Sequence, residues 1–121
     1  MSLAESAPVI KLGDNLLVCL QGDLDDKAVL RLEADTTNCV ARTRATGVLL
    51  DVSGLAVVDS FMARIIARLA AMIRLLGAET VVVGIQPAVA ITLVELGVVM
   101  DHVHTALNAG EGMALLRRLQ R

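Results

Sequence analysis

The stretch Gly47-Val-Leu-Leu-Asp-Val-Ser-Gly-Leu-Ala-Val-Val-Asp-Ser60 decides the fold, and a long amphipathic segment follows it directly. Residues 47–52 are almost all aliphatic, which is typical of a strand buried on both faces. Ser53 and Gly54 are turn-forming residues, so we expect the strand to end before them. The pattern therefore predicts a buried strand, a turn and then a helix that begins at Phe61.

Asp59 and Ser60 stand immediately before that helix. Side-chain oxygens of Asp and Ser accept hydrogen bonds from the free N–H groups at a helix start, so both residues are candidate caps. The same position places the Ser60 hydroxyl at the positive end of a helix dipole, where a phosphate is stabilised. Spacing alone favours a capping role, and a phosphoacceptor role stays open.

Length and composition indicate one domain with an unusual core. The chain has 121 residues, of which 55% are hydrophobic, yet Phe61 is its only aromatic residue. A chain of this length buries a single core, here built from aliphatic side chains. The mean hydropathy of +0.68 is high. Either the core is simply rich in Ala and Val, or other subunits cover some apolar surface, and we favour the second interpretation.

Several classes of protein are disfavoured. The longest uncharged stretch, residues 80–94, is too short to span a membrane, and no signal peptide is evident, so we expect a cytoplasmic protein. Cys19 and Cys39 lack metal-ligand spacing and are expected to be buried free thiols. With a net charge of −2 and no basic run, nucleic acid is not an expected partner.

The sequence pattern of the N-terminal third predicts an arm, a β-hairpin and a helix. Residues 1–7 are expected to form a flexible arm, and strands are predicted at 8–12 and 16–20 on either side of a turn at 13–15. A break at 21–23 leads to an acidic helix start containing Asp23, Asp25 and Asp26. An apolar stripe carries this helix to about Thr43, although Thr36-Thr37-Asn38 weakens its middle.

The remainder alternates between helices and strands. Apolar side chains at helical spacing predict a helix over 61–76, with Arg64 and Arg68 on its opposite face. A strand over 80–85 precedes a helix that Gln86-Pro87 opens and Gly97 ends. A short strand around 102–104 and a closing helix over 113–119, preceded by a capping pattern at Asn108, complete the chain.

These elements predict an α/β fold in the order β-β-α-β-α-β-α-β-α, with a mixed, mostly parallel sheet packed by helices. No metal site is expected. The histidines at 102 and 104 would share a strand face but lack a third ligand, and the acidic cluster is explained by the helix dipole.

The pattern offers little for catalysis. The chain has no Gly-x-Ser-x-Gly elbow, no phosphate-cradling loop with a Lys and no Cys-x-x-Cys pair. Ser60 has no general base nearby in sequence except Asp59. We therefore expect a binding or switch module rather than an enzyme, without a cofactor.

The segment from Asp51 to Ser60 resembles the phosphorylation segment of STAS domains, the family of bacterial anti-anti-sigma factors and related modules. The order of elements fits that fold, so the resemblance extends over residues 8–121. Two further stretches narrow the resemblance to the RsbS-type scaffold proteins of the stressosome, the bacterial stress-sensing complex. They are Val-Asp-Ser-Phe61 and Gly84-Ile-Gln-Pro-Ala-Val-Ala-Ile-Thr-Leu-Val-Glu-Leu-Gly97. Residues 1–121 are then one STAS domain.

The resemblance implies a switch function. Ser60 would be phosphorylated by an RsbT-like serine/threonine kinase, which the unmodified protein sequesters, and Asp59 and Phe61 would contribute to kinase recognition. Thr92 falls where RsbR-type relatives carry a second phosphoacceptor. RsbR-like STAS proteins, a phosphatase, and homo- and hetero-oligomers are the implied partners, in general stress signalling.

Two other functions of the same fold stay open. Many anti-anti-sigma factors continue Asp-Ser with a small residue and Gly, whereas Phe61-Met62 follows here, which disfavours direct binding of an anti-sigma kinase. The other alternative is a STAS accessory subunit of a transport system, which would act without phosphorylation.

Overall fold

The computed structural model describes residues 9–22, 24–98 and 100–120. The arm expected at 1–7 lies outside the described residues. The elements follow the expected order of strands and helices: β1 Val9–Leu12, β2 Asn15–Gln21, α1 Asp26–Thr43, β3 Gly47–Gly54, α2 Ser60–Leu75, β4 Glu79–Val83, α3 Pro87–Glu95, β5 Val103–Ala106 and α4 Ala109–Leu119.

One five-stranded sheet runs in the order β1-β2-β3-β4-β5. Strand β1 pairs with β2 antiparallel, as the hairpin pattern predicted, and the other three pairings are parallel. Because successive parallel strands are added in one direction, right-handed crossovers place their helices on a single face of the sheet. The mixed, mostly parallel α/β sheet is therefore confirmed.

Two apolar clusters lie on opposite faces of this sheet. The larger cluster joins the sheet to α1, α2 and α3, and includes Val48, Leu50 and Ile73. The smaller one lies under α4 and is formed by Leu49, Val81, Val83 and Leu116. Alternating side chains of β3 thus supply both cores, as expected of a strand that is buried on both faces.

The ends of two strands differ from the sequence prediction. Ser53 and Gly54 were expected to form a turn, but they are the last residues of β3, since Gly54 pairs with Gln21 of β2. Strand β2 also includes Asn15, which pairs with Leu12 across a turn of two residues. Strand β4 is Glu79–Val83, shorter at its end than the predicted 80–85, because Gly84 with φ +77° leaves the extended conformation.

The helices also differ in detail. Helix α1 is continuous through Thr36-Thr37-Asn38, because Thr36 is buried and the Thr37 hydroxyl donates to the Glu33 carbonyl oxygen at 2.9 Å. Helix α4 begins at Ala109 rather than at residue 113, because Asn108 Oδ1 accepts a hydrogen bond from the N–H of Glu111 at 2.9 Å.

The histidines do not share a strand face as predicted. His102 lies in the turn before β5, whereas His104 is on that strand with Nε2 3.6 Å from Glu79 Oε1. Within 9–22, 24–98 and 100–120, no group of three or more His, Cys, Asp or Glu side chains could hold a metal ion.

The two cysteines are free thiols, but they are half-buried rather than fully buried. Partial burial, together with the neighbouring Asp51 carboxylate, raises the pKa of the Cys19 thiol. Among the described helices, none combines the length and apolar character needed to cross a membrane.

Helix α4 approaches the sheet closely at Gly112. A Cβ atom there would lie 2.4 Å from Leu49 Cδ2 and 2.7 Å from Val83 Cγ1. Gly112→Ala should therefore lower the free energy of unfolding by about 1–3 kcal/mol, the usual cost of overpacking. Urea denaturation of purified variants measures this.

Gly110→Ala is the matched control, because it lies in the same helix and its Cβ would meet only Asn108 Oδ1, at 3.4 Å. Helix propensity alone should make this variant more stable by about 0.5–1 kcal/mol. Equal effects of the two substitutions would contradict the close packing of α4.

Candidate functional site

The candidate site lies at the edge of the sheet where β2, β3 and β4 end. Three connections meet at this edge, and their described residues are 22, 24–25, 55–59 and 84–86. Ligands and partners of α/β folds commonly bind at the carboxyl ends of parallel strands, because the connecting loops converge there. The segment that the sequence singled out, Asp59 and Ser60, belongs to the middle connection.

The end of β3 is held by side-chain hydrogen bonds. Asp51 Oδ1 accepts from the Ser53 N–H at 2.9 Å and from its hydroxyl at 2.7 Å. Gln86 Nε2 donates to the Ser53 carbonyl oxygen at 2.8 Å, which links the start of α3 to this strand end. A Cβ at Gly84 would lie 2.7 Å from Ser53 Cβ, so a glycine allows the close approach.

The loop between β3 and α2 has buried anchors and an exposed tip. Leu55 and Val58 are only 2% and 3% exposed, whereas Val57 between them is 80% exposed. The N–H of Leu55 donates to the Val52 carbonyl oxygen at 2.9 Å. The loop is therefore fixed from below while it presents an apolar side chain next to Asp59.

Asp59, rather than Ser60, caps the helix. Its Oδ1 accepts a hydrogen bond from the Met62 N–H at 2.8 Å, and its carbonyl oxygen accepts from Ala63 at 3.0 Å. Ser60 is the first residue of α2, so the helix starts one residue earlier than predicted. Since the cap is supplied by Asp59, the Ser60 hydroxyl is not required for that role.

Ser60 is partly exposed and lines an open groove. The opposite wall is formed by residues 96–98, just after α3, and Arg64 and Ala67 of α2 form the same side as Ser60. No hydrogen bond joins the Ser60 hydroxyl to another described residue, and the first turn of α2 contains no acidic side chain. The hydroxyl is thus available to a partner at the positive end of the helix dipole.

A second groove lies on the other side of Asp59. It is lined by Gly22, Leu24, Asp25, Val57, Asp59 and Met62. Asp25 caps α1 by accepting from the Ala28 N–H at 2.8 Å, in the same way that Asp59 caps α2. The sequence pattern predicts only a helix start at Asp25, and no local signal indicates that Asp25 shares a groove with Asp59.

Phe61 and Thr92, the other two residues singled out from the sequence, are less accessible to a partner than Asp59 and Ser60. Phe61 is half-buried and packs against the larger core, so only part of its ring faces outward. Thr92 lies on α3, where its hydroxyl donates to the Ala88 carbonyl oxygen at 3.0 Å. Thr92 lines neither groove beside Asp59 and Ser60.

The three arginines of α2 differ in their partners. Arg68 forms a bidentate pair with Glu33 of α1, with N–O distances of 2.7 and 2.6 Å. The hydrogen bond and charge of Glu33 raise the pKa of Arg68. Arg74 pairs with Glu79 at 2.6 Å. Arg64, beside Ser60, forms no ion pair with any described residue.

Comparison with protein families identifies a match over most of the chain. The sequence model described as the STAS domain matches residues 6–111. Among curated proteins, the chain is 34% identical over 109 residues to the RsbT co-antagonist protein RsbRA of Bacillus subtilis, which covers 89% of this chain and 40% of the relative. The chain thus spans about two fifths of the length of such relatives.

Two solved structures match over nearly their whole length. A serine-to-glutamate variant of RsbS from Moorella thermoacetica is 34% identical, with a TM-score of 0.85 over 95% of this chain and 97% of that chain. A chain in the molecular architecture of the stressosome, a signal integration and transduction hub, is 35% identical, with a TM-score of 0.83 over 94% of this chain and 99% of that chain. The resemblance to the RsbS-type branch inferred from the sequence is confirmed.

Two substitutions of Asp59 separate the effect of its hydrogen bond to Met62 from the effect of its negative charge. Asp59→Ala removes the hydrogen bond to Met62 and should lower the free energy of unfolding by about 1 kcal/mol. Asp59→Asn keeps an accepting oxygen while removing the charge, and should stay within about 0.5 kcal/mol of the wild type, because Asn and Asp cap comparably. Urea denaturation compares the three proteins, and an Ala variant as stable as the wild type would show that the cap is unimportant.

Proposed function

This chain belongs to the STAS domain family, and from that membership and the geometry around Ser60 we propose that it is a non-enzymatic, phosphorylation-regulated scaffold of a bacterial stressosome. The unmodified protein binds an RsbT-like serine/threonine kinase in the cytoplasm and releases it when Ser60 is phosphorylated, in general stress signalling. RsbR-like STAS proteins co-assemble with it, and a phosphatase reverses the modification.

One observation carries this proposal. Ser60 presents a partly exposed hydroxyl in an open groove, while the neighbouring Asp59 caps the helix. A kinase can therefore modify Ser60 without removing the hydrogen bond that starts α2. The names of the relatives support the choice of partner, since RsbRA is called an RsbT co-antagonist and a stressosome chain is similar over almost its whole length.

Charge explains how a phosphate would release the partner. A phosphoserine adds about −1.5 to −2 charge at neutral pH. It would stand next to Asp59, and Asp25 lines the groove on the other side of Asp59. A bound kinase would have to desolvate this concentrated negative charge, and a loss of ~1.4 kcal/mol is enough to weaken binding tenfold. Release therefore does not require a change of fold.

The neighbouring residues have different roles in this proposal. Asp59 presents the acceptor and contributes its charge to kinase recognition, and the exposed Val57 beside it adds apolar contact. Phe61 contributes the outward part of its ring, while its buried part fixes the first turn of α2. Thr92 is only a candidate second acceptor, because its hydroxyl is bonded to the Ala88 carbonyl oxygen and would have to leave that oxygen before modification. The proposal places neither a metal nor a cofactor on this chain, since the kinase binds the ATP that supplies the phosphate.

Intact-mass analysis after incubation with the RsbT-like kinase and ATP tests the modification. We expect one added phosphate on the wild type, located at Ser60 by fragmentation. Ser60→Ala should abolish it without loss of folding, because Asp59 supplies the cap. Thr92→Ala is the matched control and should retain the phosphate. A single phosphate that persists in Ser60→Ala would show that another residue is the acceptor.

Release of the kinase is measured separately, by kinase binding to the immobilised protein before and after ATP addition. The wild type should lose at least tenfold in affinity after phosphorylation, whereas Ser60→Ala should hold the kinase throughout, because no phosphate is added beside Asp59. If Ser60→Ala released the kinase on ATP addition as fast as the wild type, Ser60 would not be the switch.

A further inference from the structure

An apolar cavity lies between the sheet and α3, behind the loop that leads to Asp59. It has a volume of about 80 Å³. Strand residues Val52, Val82 and Val103 form its floor, and Val89 and Leu93 of α3 form its roof. Leu55 and Val58, the buried anchors of the loop, form part of its wall.

The side chains that line the cavity determine which kind of molecule can bind in it. Apart from Thr105, every lining residue is Val, Leu, Ile or Met, and the lining is almost wholly apolar. Water needs two to four polar partners to stay in a buried site, whereas apolar cavities remain dry and accept apolar guests. The described cavity therefore favours an uncharged molecule that needs no hydrogen bonds.

The roof of the cavity is lightly held. Of the nine residues of α3, only Val89 is buried, while Ile91 and Val94 are 59% and 80% exposed. Because only Val89 and the partly buried Leu93 of α3 pack against the core, an outward movement of α3 would uncover less apolar area than a movement of α2, which has seven buried residues. The hydrogen bond from Gln86 to Ser53 fixes the start of the helix, which leaves the rest to act as a lid.

We propose that this cavity is a binding site for a small, uncharged, apolar molecule of a few carbon atoms. The proposal is independent of the phosphorylation of Ser60. A molecule in the cavity would contact Leu55 and Val58, the two side chains that anchor the loop before Asp59.

Methyl NMR of the whole protein under increasing xenon pressure tests the site. Xenon should shift the methyl signals of Val89, Leu93 and Met100 in a saturable way. Val89→Ile fills the cavity and should weaken xenon binding at least threefold. Val29→Ile is the matched control, because Val29 is an equally buried helical valine that does not line the cavity, and it should bind xenon as the wild type does.

A second variant acts in the opposite direction and keeps the test informative if Val89→Ile fails to fold. Leu93→Ala enlarges the cavity, so it should admit benzene and gain a benzene-dependent rise in Tm that the wild type lacks. The proposal is overturned if the wild type shows no saturable shift, or if shifts appear instead at exposed side chains such as Val57 and Leu107. It is equally overturned if Val29→Ile weakens binding as much as Val89→Ile does.

Discussion

Burial of β3 on both faces is the constraint on which the rest of the structure depends. Val48, Leu49 and Leu50 have no exposed surface, and β3 is the central strand of the five. A slip of one residue would exchange the side chains that face the two cores, so the burial pattern fixes the register with β2 and β4. The register in turn fixes where β3 ends, and therefore where Asp59 and Ser60 stand. The position of the candidate site is thus a consequence of the core.

The order and type of the elements could be predicted because they depend on local patterns. Apolar spacing indicated α2, and Pro87 and Gly97 marked the limits of α3 correctly. Strand ends could not be predicted in the same way, since they depend on pairing with a neighbour. Gly54 is typical of a turn by composition, yet it pairs with Gln21 and continues the sheet. The composition of a segment does not show where its strand ends, because the end depends on which residues of a second strand pair with it.

The same distinction applies to the site. Capping chemistry and the family resemblance indicated Asp59 and Ser60, and the structure shows which of the two accepts the hydrogen bond from Met62. The grooves on either side depend on distant segments, because Asp25 precedes α1 and residues 96–98 follow α3. The ten residues of sequence around Asp59 do not indicate that these distant segments lie beside it. The bidentate pair between Glu33 and Arg68, which lie 35 positions apart, was likewise beyond local reasoning.

Under the proposed function, the fold would tolerate a phosphate on Ser60, whereas the complex with a bound partner would be weakened by it. Within the chain, the positive end of the α2 dipole lies at Ser60 and would offset added negative charge. Arg64 lines the same groove and is not committed to an ion pair among the described residues, unlike Arg68. In the proposed complex, a partner that covers this turn would remove water from the phosphate and from Asp59. Under the proposed function, the energetic cost of modification would therefore fall on the interface, which would allow a switch in binding without unfolding.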